Sequence, residues 1–451
     1  MGLLGSFNNS EKKIVSVPFS KSFFHTFGSR IIVLLISFFA GIIVARVLGP
    51  EKRGVLAVVV ASAQIFSRIG SVLVAGNSIL LGQNYERLPK LTAQTLLGAL
   101  LISFFTLIIM IVLPGSIIER FFVKNDNNLI ILSSVFIFGL IMEIGLRELL
   151  MARQEFFYIN YTNIFSRIFY FVFILVFLLI FKYGLLFAAI VTITVPFFKV
   201  IFYLKNILNL LNKKLEISFD LIKKSVNIGG RAVITGIPII LLLKSDIWIL
   251  SFFEEQSTVG IYQVSVSLCT MFLMLGQVLN QLVKAKAVSE EGGSERALLV
   301  SKLLFIIGIG VYIPLVLLGK PFFLFVYGKE YLQSYYSSIV LFIAIIFWGT
   351  SVSIGGYVVG KGKYPVFIVR GMILTLLINV MLNFALIPRI AEIGAAYASL
   401  VAYIIGTVFY FIKFIRSTDF NYRDLFGFNK NEKEQINNLL KKYLNLSFFV
   451  K

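Results

Sequence analysis

The chain has 451 residues, of which 58% are hydrophobic and only 14% are charged, and its mean hydropathy is +0.91. A soluble domain cannot cover its surface at this composition, so the chain is expected to lie in lipid. With one Cys and one His, a disulfide framework and the usual thiolate or imidazole metal sites are excluded. The net charge of +20 is better explained by basic loops beside anionic lipid than by nucleic-acid binding.

Long uncharged runs predict the helices in chain order. Windows of about 20 apolar residues place about twelve of them. They lie near residues 24–48, 54–82, 91–113, 129–152, 158–181, 184–204, 226–251, 257–283, 297–319, 332–359, 364–387 and 391–412. Gly49-Pro50 and Pro388 fall between runs, where turns are expected. The sequence therefore predicts an all-α polytopic membrane protein, with no catalytic residue or metal site.

The basic residues predict the orientation of these helices. Lys and Arg are concentrated in the segments that are cytoplasmic if the N-terminus is inside, above all at residues 205–224 and in the tail from Lys413. Because positive loops stay in the cytoplasm, both termini are predicted to be cytoplasmic. The first apolar run is too long for a secretory signal and is expected to remain as the first helix.

A faint internal repeat suggests two lobes. Phe27-Gly28-Ser29-Arg30 opens the first helix much as Ile228-Gly229-Gly230-Arg231 opens the seventh, and chance similarity is the alternative. An even number of spans per half makes such a repeat parallel. The predicted organisation is an N-terminal lobe (1–205), a cytoplasmic linker (206–224), a C-terminal lobe (225–415) and a cytoplasmic tail (416–451). The two six-helix lobes would surround a central cavity.

Charged residues inside the spans are the best functional clue, because each costs about 2.5 to 3.5 kcal/mol on insertion scales unless it has a partner or faces water. The basic ones are Arg30, Arg46, Arg68, Arg147, Arg167, Lys199, Arg231, Lys244, Lys302 and Arg370, and the acidic ones are Glu143, Glu148, Asp246 and Glu392. Arg46, Lys199, Lys302 and Glu392 lie near span ends, where headgroups or water are in reach. Glu143 and Arg147 are spaced to pair along one helix.

The remaining basic residues predict a cationic cavity. Arg68 lies deep in its span, and Arg30 and Arg231 occupy corresponding places in the two halves. The predicted substrate-binding residues are Arg30, Arg68, Arg231, Arg370, Arg147 and Lys244. The candidates for coupling to H⁺ or Na⁺ are Asp246, Glu143 and Glu148, although a structural bond from Asp246 to a neighbouring helix is equally open. Lys244 and Asp246 point about 200° apart and should have separate partners.

Three stretches resemble the Wzx-type polysaccharide flippases of the multidrug/oligosaccharidyl-lipid/polysaccharide exporter superfamily. The first is the Ala-Arg-x-Leu-Gly-Pro-x-x-x-Gly turn at residues 45–54. The second is the Asp-x-x-x-Leu-x-x-Phe…Val-Gly-x-Tyr pattern at 246–262, and the third is the Asn-x-x-Leu-Asn…Ile-Pro…Gly-Ala-Ala pattern at 379–396. Lys52-Arg53 departs from the first motif, in a turn that is expected to be external.

The resemblance implies alternating access and a transport role rather than an enzymatic one. The implied substrate is an undecaprenyl-diphosphate-linked O-antigen or similar oligosaccharide, moved from the cytoplasmic to the periplasmic leaflet of a bacterial inner membrane. Membrane lipids, and a polymerase and chain-length protein of the same pathway, are the implied partners. A multidrug exporter, which would favour an acidic cavity, and a membrane-embedded polymerase or glycosyltransferase, which would favour large external loops, are the alternatives. The sugar and the coupling ion stay open.

Overall fold

The computed structural model describes residues 19–112, 127–211, 214–289, 293–360 and 365–418, and residues 420–425, 427–428, 432–434 and 437 of the tail. These residues form helices and connecting loops, with no strand among them. The helices are α1 (Phe19–Gly70), α2 (Asn77–Gln83), α3 (Leu88–Val112), α4 (Asn127–Ala152), α5 (Phe156–Ile174), α6 (Leu185–Leu208), α7 (Phe219–Phe253), α8 (Gln256–Ser289), α9 (Gly293–Val326), α10 (Gln333–Gly360) and α11 (Pro365–Arg416). A π-helical turn, Leu175–Ile180, extends α5.

The first helix is two helices joined by a sharp turn. A straight helix of 52 residues would be about 78 Å long, more than twice the hydrocarbon thickness of a bilayer. Gly49 breaks it with φ 72° and ψ 174°, a conformation that favours glycine. Pro50 follows, where its missing N–H costs nothing at a helix start. The Arg53 guanidinium donates to the Gly41 carbonyl at 3.2 Å, so the two arms pack antiparallel.

The last helix has the same construction. Its 52 residues break at Ile390 and Ala391, directly after the turn predicted at Pro388. The Tyr410 hydroxyl donates to the Ile368 carbonyl at 2.8 Å, and the Asn379 amide donates to the Ser399 hydroxyl at 3.2 Å. The bonded residues are closer together in sequence the nearer they lie to the break, which is the pattern of an antiparallel hairpin.

The described residues contain ten helical segments that are long and apolar enough to cross a membrane. The segments Phe27–Gln83 and Phe367–Arg416 each contain one of the two hairpins, so each supplies two of the predicted helices. The predicted all-α polytopic class is confirmed. Large apolar side chains on the outer surface, such as Phe104 and Leu317, are mostly exposed, as lipid-facing positions should be.

The hydrophobic core has one centre in each half of the chain. Ile137 and Ile141 of α4 belong to a cluster built from the first half, whereas Tyr262 and Trp348 belong to a cluster built mainly from the second half. The second arm of α1, residues 50–70, crosses between the halves, since its Ala57 packs in the second cluster. The division into lobes at residues 205 and 225 stays a prediction.

Glycines allow the two halves to touch backbone to backbone at both ends of this crossing arm. At one end, here called the Gly49 end, a Cβ on Gly54 would overlap the Gln256 carbonyl and a Cβ on Gly260 would overlap the Pro50 carbonyl. At the other, the Gly229 end, a Cβ on Gly229 would overlap the Val72 carbonyl. Small residues permit such close helix approach in membranes. The halves therefore meet at both ends.

Candidate functional site

A cavity of about 210 Å³ lies between the two halves. Its walls come from both arms of α1, from α5 and α6 of the first half, and from α7 and α8 of the second half. The lining residues are Ser37, Gly41, Val44, Arg53, Leu56, Ala57, Val60, Arg167, Tyr170, Thr192, Lys244, Gln263 and Ser267. We call it the central cavity. It contains three cations and no carboxylate among these described lining residues.

Arg53 is the most deeply buried of the three cations, with 7% of its surface exposed. One of its terminal nitrogens donates to the Gly41 carbonyl across the α1 hairpin. Its Nε is buried without a hydrogen-bond partner. An unpaired buried donor on a charged group is costly, so this guanidinium has free capacity for an anion at the cavity wall.

Arg167 and Lys244 complete the cationic wall from opposite halves of the chain. Neither makes an ion pair within the described part of the chain. Lys244 lies on α7 two residues from Asp246, and only Lys244 lines the cavity. This separation agrees with the predicted angle between the two side chains, since residues two apart on a helix point in different directions.

A second cationic group lies toward the Gly229 end. Arg147 of α4 is within electrostatic range of both Arg30 and Arg68, and Glu148 acts on Arg68. The Nε of Arg147 is buried without a hydrogen-bond partner. Ser78 donates to the Glu148 carboxylate. We call Arg30, Arg68, Arg147 and Glu148 the Arg68 cluster.

The Arg68 cluster and the central cavity share helix faces. Arg30 precedes Ser37 by seven residues, which is two turns and about 10 Å along the first arm of α1. Arg68 follows Ala57, another residue of the cavity wall, by eleven residues, which is three turns, on nearly the same face of the second arm. Arg68 also reaches the other half of the chain, because a Cβ on Gly236 of α7 would overlap its guanidinium. The basic side chains therefore form one row from the Gly229 end to the central cavity.

Two predicted cavity residues are placed elsewhere. Arg231 and Arg370 are exposed, and neither lines the central cavity. Gly236 of α7 faces α1 and Gly229 faces the turn that follows α1, whereas Arg231 lies about 200° around the helix from Gly229. The predicted roles of Arg231 and Arg370 in binding stay predictions.

Three expectations about structural charges need correction. Glu143 does not pair with Arg147, because Lys199 of α6 donates to its carboxylate at 2.9 Å. Lys199, Lys302 and Glu392 do not reach headgroups or water, since all three are buried, and Lys302 binds Glu432 of the tail at 2.7 Å. Arg53, expected in an external turn, is buried in the central cavity.

Arg46, near the end of its span as predicted, makes a contact between the halves that the sequence did not indicate. Its guanidinium donates to the carbonyls of Phe325 and Val326 at the end of α9, at 2.8 Å for Val326. The Tyr331 hydroxyl donates to the neighbouring Ala45 carbonyl at 3.0 Å. These contacts add to the closure of the Gly49 end.

Asp246 belongs to a buried polar network rather than to the cavity wall. It is 5% exposed, and its carboxylate accepts from the Tyr262 hydroxyl at 2.6 Å and from the Ile247 N–H at 2.9 Å. Ser399 lies within hydrogen-bonding reach of Tyr262. Asn379 donates to Ser399, and Asn383 donates to Asn379 at 3.0 Å. The Asn383 carbonyl oxygen is buried without a hydrogen-bond partner.

This Asp246 network comprises Asp246, Tyr262, Asn379, Asn383 and Ser399. It joins α7, α8 and both arms of α11, so a change in the charge of Asp246 would act on four spans of the second half. Its oxygen atoms are of the type that Na⁺ prefers, and the carboxylate can also take a proton. The other coupling candidates, Glu143 and Glu148, have the partners described above.

Neither Arg53 nor Arg167 was predicted from the sequence to be a residue of the cavity. Arg167 was visible among the intramembrane cations, and Asn160 and Asn163 share its helix face at helical spacing, which was a usable signal. Arg53 gave no comparable signal. Its burial depends on the α1 hairpin and on contact with the second half, which local sequence does not show.

No protein-family model matches the sequence, and no curated protein matches it. Solved structures do match. A lipid II flippase, MurJ, in an inward closed conformation is 17% identical with a TM-score of 0.74, covering 96% of this chain and 94% of its own. An inward-facing multidrug resistance MATE family transporter of the MOP superfamily is 13% identical, with a TM-score of 0.63 over 87% and 98% of the two chains.

The MATE multidrug transporter DinF-BH is 16% identical, with a TM-score of 0.64 over 94% of this chain and 100% of its own. At these identities the likeness shows a shared fold. This chain therefore has the fold of multi-pass membrane transporters, over nearly its whole length. The neighbours include both a flippase and multidrug transporters, so the shared fold does not indicate one class of substrate.

Proposed function

We propose that this chain is a flippase for an undecaprenyl-diphosphate-linked oligosaccharide, such as an O-antigen repeat unit. The central cavity carries this proposal, because three cations and no carboxylate line its described wall. Two of the cations are guanidinium groups, which can hold two phosphate oxygens at once. The fold shared with a lipid II flippase agrees with a lipid-linked substrate.

The Arg68 cluster supplies a route to the cavity. If the Gly229 end faces the cytoplasm, a diphosphate would meet Arg30, Arg68 and Arg147 first and then Arg53, Arg167 and Lys244. The cavity is smaller than the roughly 300 to 1,000 Å³ of usual ligand pockets. It would hold the diphosphate in the closed state, and the glycan would require separation of the halves at one end at a time.

A multidrug exporter is the rival transporter, since two of the structural neighbours are multidrug transporters. A cationic drug would be repelled by the central cavity, whereas an anionic lipid would be attracted. A membrane-embedded polymerase or glycosyltransferase would need a catalytic centre, and transport requires none. The proposed setting is a bacterial inner membrane, with the polymerase and chain-length proteins of the pathway as partners.

The decisive experiment measures flipping in proteoliposomes of a fluorescent undecaprenyl-diphosphate-linked N-acetylglucosamine. Arg53→Gln removes the charge at similar size, and its loss should reduce flipping about tenfold to a hundredfold, which corresponds to one charge-assisted bond. Arg389→Gln, an exposed site outside both cationic groups, is the matched control. Uptake of a cationic rhodamine dye is measured in parallel. Unchanged flipping in Arg53→Gln, or rhodamine transport by the parent chain alone, would reject the proposal.

Coupling to H⁺ or Na⁺ is assigned to the Asp246 network. Asp246→Asn keeps the hydrogen bond from Tyr262 and removes the charge, so downhill flipping should continue while the response to an ion gradient disappears. Separate proton and sodium gradients across the proteoliposome identify the ion. A gradient response that survives in Asp246→Asn would exclude this carboxylate.

The orientation is tested with single cysteines in a Cys269→Ser background. Glu216→Cys lies in the predicted cytoplasmic linker and Glu255→Cys lies at the Gly49 end. An impermeant thiol reagent applied to right-side-out spheroplasts should label Glu255→Cys and leave Glu216→Cys unlabelled. The reverse pattern would invert the proposed direction of transport.

A further inference from the structure

A second cavity lies on the far side of the second half, under the tail. It has a volume of about 430 Å³ and lies between α9, α10 and the second arm of α11. Apolar side chains form most of its walls, including Phe305, Ile306 and Val408, and Tyr422 and Phe428 of the tail close one end. We call it the tail pocket.

One charged residue, Lys302, is present among the lining residues that the structure describes. It is 9% exposed, and its ammonium group donates to both Glu432 carboxylate oxygens at 2.7 and 2.8 Å. It also donates to the Gly427 carbonyl at 2.7 Å and lies 5.6 Å from the centre of the Phe428 ring. The tail therefore supplies the anion that a buried lysine requires.

The pocket opens sideways onto the lipid-facing surface. Phe305, Ile306 and Val408 line it and are between 40% and 50% exposed. A hydrocarbon chain can enter from the bilayer without passing through the protein. Lys302 lies nine residues from the start of α9, about 13 Å along the helix, and its ammonium group is held at the part of the pocket that the tail lines.

An apolar groove with one cation near its end has the shape and charge of a site for an acidic lipid. Its volume falls within the usual range for ligand pockets. We propose that the tail pocket binds one acyl chain of an acidic phospholipid, whose phosphate takes the place of Glu432 on Lys302. Binding would release Glu432 from Lys302, so the lipid and this residue of the tail compete for one cation. This site is independent of the substrate proposed for the central cavity.

The test uses the full chain in phosphatidylcholine nanodiscs that contain a trace of photoactivatable lipid. One sample carries phosphatidylglycerol with a diazirine in its acyl chain, and the other carries phosphatidylcholine with the same chain. After illumination, peptide mapping should place about tenfold more phosphatidylglycerol on residues 298–306 and 407–415, the effect of one charge-assisted bond. Equal labelling by both lipids would mean an unspecific lipid belt and overturn the proposal.

Variants separate the two parts of the site. Glu432→Gln removes the competitor and should increase phosphatidylglycerol labelling, whereas the exposed neighbouring change Lys433→Gln should not. Lys302→Gln combined with Glu432→Gln removes both charges of this pair, so no buried lysine is left without an anion, and the preference for phosphatidylglycerol should disappear. Preference retained in this double variant would contradict the role of Lys302.

The chain-binding part is tested by filling the groove. Ile306→Trp should reduce labelling by both lipids, while Ile309→Trp, exposed on the same helix but outside the pocket, should not. Labelling unchanged by Ile306→Trp would overturn the proposal. So would two other results: competition by undecaprenyl phosphate but not by phosphatidylglycerol, which would identify a polyprenyl lipid, or cross-linking between two copies of the chain through this face.

Discussion

Buried cations in the central cavity differ from those elsewhere in the helices in what neutralises them. Lys199 meets Glu143 within the first half, and Lys302 meets Glu432 of the tail. Arg53, Arg167 and Lys244 share a cavity whose described lining holds no carboxylate. All five lie in segments where an unpaired charge is costly, so the first two are neutralised within the protein, whereas the last three are the candidates for contact with an anionic ligand.

The difference teaches how to rank intramembrane charges. Removing one member of a buried pair leaves the other unpaired and is strongly destabilising, whereas replacing both with apolar residues is often neutral. Removing an unpaired cation relieves repulsion in the empty protein and weakens binding of an anion. Stability and transport should therefore respond in opposite ways at the two kinds of site.

The largest effect is expected from charge reversal in the cavity. If the cavity binds a diphosphate as proposed, Arg167→Glu places a carboxylate beside it and should reduce flipping more than about a hundredfold, since it replaces attraction by repulsion. The amount of protein in the membrane and its melting temperature should be close to those of the parent. Arg389→Glu is the exposed control. Flipping near the parental rate in Arg167→Glu would place the anion elsewhere.

The paired cations should show the opposite behaviour. Glu143→Gln leaves Lys199 buried without an anion and should lower the free energy of unfolding by about 3 to 5 kcal/mol. Glu143→Met combined with Lys199→Met should recover most of that loss. Denaturant unfolding of detergent-purified protein measures both variants. If the single change is as stable as the parent, this pair is not structural, and the contrast with the cavity fails.

A smaller effect is expected where the halves touch at the Gly229 end. Gly229→Ala forces α7 away from the Val72 carbonyl, whereas at Gly230 an added Cβ meets nothing within 4 Å. Both changes raise helix propensity by about 1 kcal/mol, so Gly230→Ala is a matched control. Ser267→Cys in the cavity, in a Cys269→Ser background, should be labelled several-fold faster from the Gly229 side in Gly229→Ala. Equal labelling in the two variants would show that this contact does not close the cavity.

The smallest effect is expected at the Gly49 end. Arg46→Gln removes the charge from the bonds to the last carbonyls of α9, and because Arg46 is exposed the loss should be only about 0.5 to 1.5 kcal/mol. The same Ser267→Cys reporter should become a few-fold more reactive from the Gly49 side. Lys52→Gln, an exposed neighbouring change, is the control. If labelling increased from the Gly229 side instead, Arg46 would not be a residue that closes the Gly49 end.

The helices themselves were predictable because a membrane span is a local property. Twenty apolar residues must form a helix in lipid. Gly49-Pro50 and Pro388 mark helix breaks that depend on the local sequence and not on the neighbouring helices. The Asp246 motif likewise indicated a buried carboxylate, although its bond to Tyr262 needed the packing of α7 against α8.

Partners of the charges were not predictable. Arg147 is four residues from Glu143, a spacing that predicts a pair along one helix, yet Lys199 binds Glu143 from another helix. Lys302 and Glu432 are 130 positions apart. In lipid, helices are apolar on most faces, so the sequence does not indicate which face meets which neighbour.

By itself the sequence determined the membrane class, the positions of the helices and their breaks, and an excess of positive charge within the spans. The tertiary structure alone decided which of those charges are paired and which line the cavity. Arg53 shows the reason most clearly. It stands three residues after a turn, where local pattern predicts an exposed loop, and the α1 hairpin and its contact with α8 bury it. Hydropathy is a sum over residues that are adjacent in sequence, whereas a binding site depends on distances between residues that are far apart in sequence.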